Sequence, residues 1–180
     1  GCYCIPAASD CTDDDVITRV RISTLDNSSA CSPNGYGNYT NTLPAPTVYS
    51  GAANPITVNV PTTWTEQVAV LIDYNQNGQF EASEFTNLGS NVGNGGVITG
   101  NIAIPAGLPS ITTRMRVRVR FSTAWTSGLA CTAVTFGETE DYNVSIVPCV
   151  PVTITSSPAS AVSATCGGNA SFTVAAAGTL

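Results

Sequence analysis

The chain has 180 residues, of which only 10% are charged, and it contains no lysine and no histidine, for a formal net charge of −6. Binding to nucleic acid needs a concentrated basic patch, so this composition argues against nucleic acid as a partner. Without histidine, Ser-His and Cys-His catalytic pairs and histidine-ligated metals are excluded. No apolar run approaches the roughly twenty residues of a membrane helix, so we expect no membrane insertion.

Short strands separated by turn residues are expected along most of the chain. β-Branched or alternating apolar residues predict strands at 16–24, 56–60, 68–72, 97–104, 112–122 and 142–147. Pro61 and Pro105 end two of them. No segment keeps a helical period over three turns. The pattern predicts an all-β fold, an antiparallel β-sandwich of jelly-roll or Ig-like type, for residues 1–147.

Seven cysteines point to an oxidising compartment, outside the cell or on its surface. Their spacing gives no paired Cys-x-x-Cys knuckles, so disulfides are favoured over zinc. The odd count leaves one thiol unpaired, and Cys166 is the candidate. Cys31 and Cys131 lie in loops of similar character and would make a plausible long-range bridge, although the sequence does not fix connectivity. The candidate disulfide residues are Cys2, Cys4, Cys11, Cys31, Cys131 and Cys149.

The segment 73–84 has oxygen-bearing side chains where a twelve-residue calcium loop places them, with Gly78 at the sixth position. It follows an apolar strand rather than a helix, which indicates a structural staple and not a calcium sensor. An Asn-Gly hairpin turn is the alternative, but such a turn gives no reason for a carboxylate at position 84. With three carboxylates, the affinity should suit extracellular calcium. The predicted metal ligands are Asp73, Asn75, Asn77, Gln79 through its carbonyl, Glu81 and Glu84.

The most regular predicted strand, 112–122, carries four arginines on one face and apolar residues on the other. Adjacent guanidinium groups on one face would lie ~7 Å apart and repel unless acceptors lie opposite them. We expect a solvated, ion-paired sheet face, with an anion-binding or polysaccharide-binding stripe as the alternative. The arginines are Arg114, Arg116, Arg118 and Arg120, and the expected counter-charges are Glu138, Glu140, Glu66 and the run 13–15.

The segment 137–142 reads as a turn that enters the strand 142–147. Alternation puts Glu138 and Glu140 on one face, where they would pair with the arginine row. A second metal site formed by Glu138, Glu140 and Asp141 stays open as an alternative. A catalytic carboxylate pair needs a cleft that separates the two pKa values, and nothing around these residues suggests one. We therefore expect no enzymatic activity.

Five motifs follow one another along the chain: Tyr3-Cys4-Ile5-Pro6, Gly35-Tyr36-Gly37-Asn38-Tyr39-Thr40, Ile72 to Phe80, Arg118-Val119-Arg120-Phe121-Ser122 and Gly137-Glu138-Thr139-Glu140-Asp141-Tyr142. In this order they resemble the motifs of the GEVED domain, a family named for a Gly-Glu-Val-Glu-Asp motif, and the resemblance covers residues 3–147. Members of this family occur in large secreted and cell-surface proteins of Bacteroidota and relatives. The resemblance implies a β domain that accompanies proteases, adhesion modules and Ig-like repeats. Thr139 replaces the valine of the family name, and it is also a β-branched residue of similar size.

Residues 148–180 read as a linker and a partial Ig-like segment with strands at 152–155 and 170–175. An Ig-like sandwich needs about seven strands, and two cannot bury a core. Either the chain is a fragment of a longer protein, or these strands pair with a neighbouring domain or another copy. Strand donation that does not close would build a fibre.

Two classes of function follow. The first is a non-enzymatic extracellular structural or adhesion module stabilised by calcium and disulfides, with fibre assembly through the C-terminal strands. The alternative is a glycan-binding accessory module of a secreted enzyme such as a protease. A sugar platform would need exposed rings on one surface, from Trp125, Tyr36 and Tyr39 above all. Burial of these rings would rule out their use as a glycan-binding platform.

Overall fold

The structure is a computed structural model that describes residues 2–158, 171 and 173–179. Within these residues the regular elements are strands, apart from two short 3-10 turns at Pro33–Gly35 and Ala82–Glu84. The strands are β1 (Arg19–Ile22), β2 (Leu25–Ser28), β3 (Tyr36–Asn38), β4 (Thr47–Ser50), β5 (Ala53–Asn59), β6 (Glu66–Ile72), β7 (Phe85–Ser90), β8 (Val97–Ala103), β9 (Ile111–Phe121), β10 (Gly137–Pro148), β11 (Val150–Ser156) and β12 (Ala175–Thr179). The predicted all-β fold is confirmed.

The chain divides into two compact units, Gly1–Pro148 and Cys149–Leu180. The first unit contains two sheets. One has four antiparallel strands in the order β2-β1-β5-β8, and the other has the order β3-β10-β9-β6-β7, with β4 also paired to β10. Strands β3 and β4 run parallel to β10, so the second sheet is mixed and not purely antiparallel as expected.

The larger of two hydrophobic clusters among the described residues lies between the two sheets of the first unit. Met115, Val117 and Val119 of β9 are fully buried on one face of the longer sheet, because alternate residues of a strand point to the same side. They share the core with residues of the four-stranded sheet such as Val20 and Val58. Two sheets that pack their apolar faces together form a sandwich, in agreement with the sequence.

Strand β10 is longer than the sequence indicated. It begins at Gly137, which pairs with Arg120 of β9, and continues without interruption past Tyr142. The segment expected to be a turn is therefore the first half of a central strand. This length fixes which of its side chains face the arginines of β9.

The second unit contains an antiparallel sheet of two strands, β11 and β12. Strand β11 includes the predicted strand 152–155, whereas β12 begins at Ala175, where the second predicted strand was expected to end. Residues 159–170 and 172 lie outside the described residues. Of the second predicted strand, Ser171, Thr173 and Val174 are described and are not in a strand, so that prediction is wrong except at Ala175. Side chains of Val152, Ile154 and Val174 are 65%, 66% and 55% exposed.

Candidate functional site

The two central arginines of the row on β9 are buried, and the outer two, Arg114 and Arg120, are half-buried. Arg116 and Arg118 are only 0% and 1% exposed, so the expected solvated sheet face is wrong. The N-terminal segment covers Arg116, whose Nη2 donates to the carbonyl of Cys4 at 2.7 Å, while the loop after β9 supplies the carbonyl of Ala130 at 2.9 Å. A buried guanidinium is tolerated only when its charge and its donors find partners.

The counter-charge of this row is Asp141, which is itself fully buried. Arg116 binds it in a bidentate manner, with Nε 2.7 Å from Oδ1 and Nη2 2.8 Å from Oδ2. Arg114 Nη1 lies 2.9 Å from the same Oδ2, and the Tyr36 hydroxyl donates to it at 2.8 Å. A bidentate arginine–carboxylate pair has the strong and directional geometry of charge-assisted hydrogen bonds.

Glu138 and Glu140 do not pair with the arginines, contrary to the prediction. The register places them opposite Val119 and Val117, on the other face of the sheet. Glu138 accepts the backbone N–H groups of Ile17 and Ser32 at 2.9 and 2.8 Å. The odd-numbered residues of β10 face the arginines instead, since alternation along a strand has a period of two.

Burial raises the pKa of both glutamates on this inner face, for Glu140 to about 7. Glu140 accepts a hydrogen bond from the Tyr142 hydroxyl at 2.7 Å. Their partners are the backbone and a tyrosine, so these carboxylates organise the core and do not form the second metal site considered from the sequence.

The remaining arginines of the row surround Trp125. Arg118 and Arg120 lie 4.6 and 4.3 Å from the centroid of its ring, close enough for cation–π attraction. Arg118 also donates to Thr139 Oγ1 and the Thr132 carbonyl, each at 2.9 Å. Burial lowers the pKa of Arg118 to about 9, which still leaves it charged at neutral pH.

The rings proposed for a sugar platform are occupied within the protein. Trp125 is 4% exposed beneath the two guanidinium groups. Tyr36 is half-buried with its hydroxyl on Asp141, and Tyr39 stacks on Tyr142 with 5.3 Å between ring centroids. These rings do not form the exposed platform that the glycan alternative required.

Two disulfides cross-link the first unit. Cys4 is bonded to Cys131 and Cys11 to Cys31, so the bridge expected between Cys31 and Cys131 is wrong although both residues are cross-linked. The Cα atoms are 5.9 and 5.4 Å apart, within the normal range for a disulfide.

The other cysteines have different surroundings. Among the described residues, Cys2 is free and exposed and Cys149 is free and half-buried. Cys166, the predicted unpaired thiol, lies outside the described residues.

The oxygen-rich loop leaves the end of β6 and turns back through a series of side chain to backbone hydrogen bonds. Asp73 Oδ2 accepts the N–H of Gly78 at 3.0 Å, Asn75 Oδ1 accepts that of Asn77 at 2.9 Å, and Asn77 Oδ1 accepts that of Gln79 at 2.8 Å. Gly78 has a φ of 82°, a conformation that glycine adopts without steric cost. The loop therefore brings the first three predicted ligands together.

The two glutamates of the loop have separate roles. Glu81 accepts hydrogen bonds from the side-chain amides of Asn75 and Asn77 at 3.2 and 2.9 Å, so it joins the ligand cluster. Glu84 is buried, and it accepts the backbone N–H groups of Tyr74 and Glu81 at 2.8 and 2.9 Å. Capping of this kind gives position 84 a carboxylate even without a metal, which weakens the earlier argument against a simple turn.

The donor chemistry of the loop fits a hard cation. Carboxylate, amide and carbonyl oxygens are the ligands that calcium takes in proteins. In the residues that the structure describes, however, no group of three or more His, Cys, Asp or Glu side chains is placed to hold a metal ion. Half of the six predicted ligands are amide oxygens and not carboxylates. Calcium binding by this loop stays a prediction.

A buried carboxyl pair lies at the opposite end of β6 from this loop, and no sequence pattern indicates it, because Glu66 and the acidic run 13–15 were expected only as counter-charges of the arginines. Asp15 and Glu66 are 3% and 0% exposed, and neither pairs with an arginine. No donor outside the pair serves either carboxylate oxygen of Glu66 or Oδ1 of Asp15. Burial and the Asp15 carboxyl raise the pKa of Glu66 to about 8. A proton held between the two carboxyls is therefore favoured near neutral pH, as in other pairs of adjacent buried carboxyls.

An aromatic cleft lies next to the carboxyl pair. Trp64, Phe121 and Phe136 are each 42% exposed, and together with Asp13 and Asp15 they line a cavity of about 190 Å³. The Trp64 and Phe121 rings meet edge to face, 5.9 Å apart at 87°. Trp64 is held in place by its indole N–H, which donates to the Asp13 carbonyl at 2.8 Å.

Fold and site together define an all-β domain of sandwich type, cross-linked by disulfides and by a buried arginine–aspartate network. The family model of the GEVED domain matches residues 67–145, from β6 through most of β10, which supports the resemblance. This span contains the oxygen-rich loop, the arginine row and Asp141. A comparison with curated proteins found no match, and neither did a comparison with solved structures. No helix in the described ranges has the length and hydrophobicity that a membrane crossing requires.

Proposed function

We propose that the first unit is a non-enzymatic structural or adhesion module of a secreted or surface-anchored protein. One observation carries this proposal: charged residues of the span that matches the GEVED model are used for internal cross-linking. Arg116 joins Asp141 to the backbone at Cys4 and at Ala130, beside the Cys4–Cys131 disulfide. A catalytic role would need such groups in a cleft, in contact with a substrate.

Two cross-links support a location outside the cell, because disulfides persist in oxidising compartments. The GEVED match supports a bacterial surface protein of the Bacteroidota type, as the resemblance implies. In that setting the partners would be neighbouring domains, further copies of the chain or surface glycans.

Calcium would be a third cross-link in this proposal. Asp73, Asn75, Asn77, Glu81 and the Gln79 carbonyl would hold it, and Glu84 would complete the set listed from the sequence. The ion would join the end of β6 to the turn after it and neutralise the loop carboxylates. Its role is structural, so its removal should lower stability without affecting any turnover.

The test is calorimetric melting of the protein with millimolar calcium and with a chelator. At calcium concentrations of about a hundred times Kd, binding should add about 2.7 kcal/mol to the free energy of unfolding. For a domain of this size, that corresponds to an increase of about 5–10 °C in Tm. Asp73→Ala should abolish the calcium-dependent increment, whereas Asp26→Ala on exposed strand β2 should keep it. Equal melting of the wild-type protein in calcium and chelator would show that the loop is a turn.

The C-terminal strands suggest how such modules would be linked. A two-stranded sheet with exposed Val152, Ile154 and Val174 cannot bury a core of its own. We propose that β11 and β12 pair with a strand of an adjacent domain or of another copy, and that an open series of such contacts forms a fibre. Electron microscopy of the whole chain and of a variant without residues 151–180 tests this. Fibres that form equally well after the deletion would exclude this mode of assembly.

A further inference from the structure

The aromatic cleft beside the carboxyl pair has no role in the function proposed above. It lies where β6 begins, β9 ends and β10 begins, whereas the oxygen-rich loop follows the other end of β6. Seven residues of extended strand separate the two places, about 20 Å. The cleft is therefore a separate candidate site.

The acceptors in this cleft lack donors. Asp15 lines the cavity, and its carboxylate is nine-tenths buried or more with Oδ1 unpartnered. Glu66 lies next to Asp15, and its oxygens have no donor outside this pair, while Asp13 is a further acidic residue of the lining. Unpaired acceptors in a desolvated place are costly, and a group with several N–H donors and a positive charge would satisfy them.

The rings of the cleft also lack cations. Each of the four arginines of β9 lies over an aromatic ring, and those rings are Tyr3, Phe80 and Trp125. In the part of the chain that the structure describes, no guanidinium lies over Trp64, Phe121 or Phe136. The edge-to-face arrangement of the first two makes a corner, which suits a compact cation better than a flat sugar ring.

We propose that this cleft binds the ammonium group of a lysine side chain carried by another protein. The lysine would come from outside these 180 residues, which contain none. An ammonium offers three donors, enough for the acidic residues of the lining, Asp15 and Asp13, and its four-carbon stem would lie against the rings. A cavity of about 190 Å³ accommodates one such side chain.

Binding should be linked to a proton. In the free protein Asp15 and Glu66 share one, and burial together with Asp13, Asp10 and Asp14 raises the pKa of Asp15. An ammonium would compete with that shared proton for the same oxygens. Affinity should therefore increase between pH 6 and pH 9.

The experiment is an NMR titration of the full chain that follows the indole N–H of Trp64, assigned by Trp64→Phe. The probe is Nα-acetyl-lysine methylamide, and its Nε-acetylated form is the neutral comparator. We expect the charged probe to shift the Trp64 signal with a millimolar Kd and the neutral form to leave it unchanged. Equal binding of both forms would overturn the proposal, as would a shift caused by a neutral cello-oligosaccharide and not by the lysine probe.

Variants assign the effect to the cleft. Asp15→Asn should weaken binding about tenfold to a hundredfold, since hydrogen bonds to charged groups contribute about 1.5–3 kcal/mol. Asp26→Asn removes the same charge from an exposed, ion-paired position and should leave Kd unchanged. If Asp15→Asn does not fold, Phe136→Leu tests the same site, and we expect it to weaken binding of the lysine probe about threefold because one aromatic ring is missing. An unchanged Kd in Phe136→Leu, or equal effects of the two aspartate variants, would refute the assignment.

Discussion

Replacement of Asp141 by alanine tests the central element of the fold. Asp141 is fully buried and holds Arg116 in a bidentate pair, Arg114 at 2.9 Å and the Tyr36 hydroxyl. Removing it leaves the guanidinium of Arg116 buried without a counter-charge. Breaking a buried ion pair from one side costs about 3–5 kcal/mol. For a domain of this size, we expect a Tm lower by about 6–20 °C.

The measurement is urea unfolding and calorimetry of the oxidised protein at neutral pH. Asp26→Ala is the matched control, because it removes the same carboxylate from an arginine pair whose side chains are 41% and 51% exposed. Exposed pairs contribute little, so this variant should unfold close to the wild-type midpoint. A loss in Asp141→Ala no larger than the loss in Asp26→Ala would refute the idea that the buried network stabilises the domain.

Two further perturbations give expected outcomes. Burial raises the pKa of Glu66 from 4.5 to about 8. Between these two pH values the folded state keeps a proton that the unfolded chain releases. The free energy of unfolding should therefore fall as the pH rises through this interval. Glu66→Gln should flatten this decline by up to about 1.4 kcal/mol per pH unit in urea unfolding series, and an unchanged slope would contradict the shared proton. Replacing both cysteines of a disulfide by serine should lower the free energy of unfolding by an amount that grows with the length of the closed loop. We expect a loss of about 5 kcal/mol for Cys4–Cys131, with a separation of 127 residues, and of about 3 kcal/mol for Cys11–Cys31, with a separation of 20. Denaturation of both double variants checks that order, and the reverse order would contradict the chain-entropy account.

Strand positions and their inner faces could be predicted from local sequence. Met115, Val117 and Val119 alternate with arginines, and period-two alternation correctly assigned them to the core. The exposure of the opposite face could not be predicted in this way. What covers Arg116 is a distant segment held by Cys4, and no local pattern shows such long-range coverage.

Which carboxylate pairs with the arginine row depends on the register between β9 and β10. Glu138 and Glu140 were the obvious carboxylates, but a shift by one residue moves every side chain to the other face. The register follows from how the loop between Phe121 and Gly137 folds, and its length alone does not specify that. Had the pairing of Gly137 with Arg120 been known, alternation would have identified Asp141 as the counter-charge.

The two candidate sites differ in whether their residues are close in sequence, and only the contiguous one could be predicted. The loop ligands Asp73, Asn75 and Asn77 are contiguous in sequence, so their spacing could be compared directly with a known ligand pattern. Asp15 and Glu66 come from segments far apart in the chain, and their contact exists only after both sheets have packed. Sites assembled from distant segments leave no spacing to recognise.

Strand β10 has a consequence for the time order of folding. It is hydrogen-bonded along one edge to β9 and along the other to β3 and β4, so β3 and β4, although made early, have no partner in this sheet until β10 arrives. Pairings of such long range are slow to form because loop closure precedes the gain from contacts. In a chain that emerges N-terminus first, this sheet would stay incomplete and Cys4 would stay reduced. Once residue 148 has emerged, the sheet could close and the disulfide between Cys4 and Cys131 could form at the same stage.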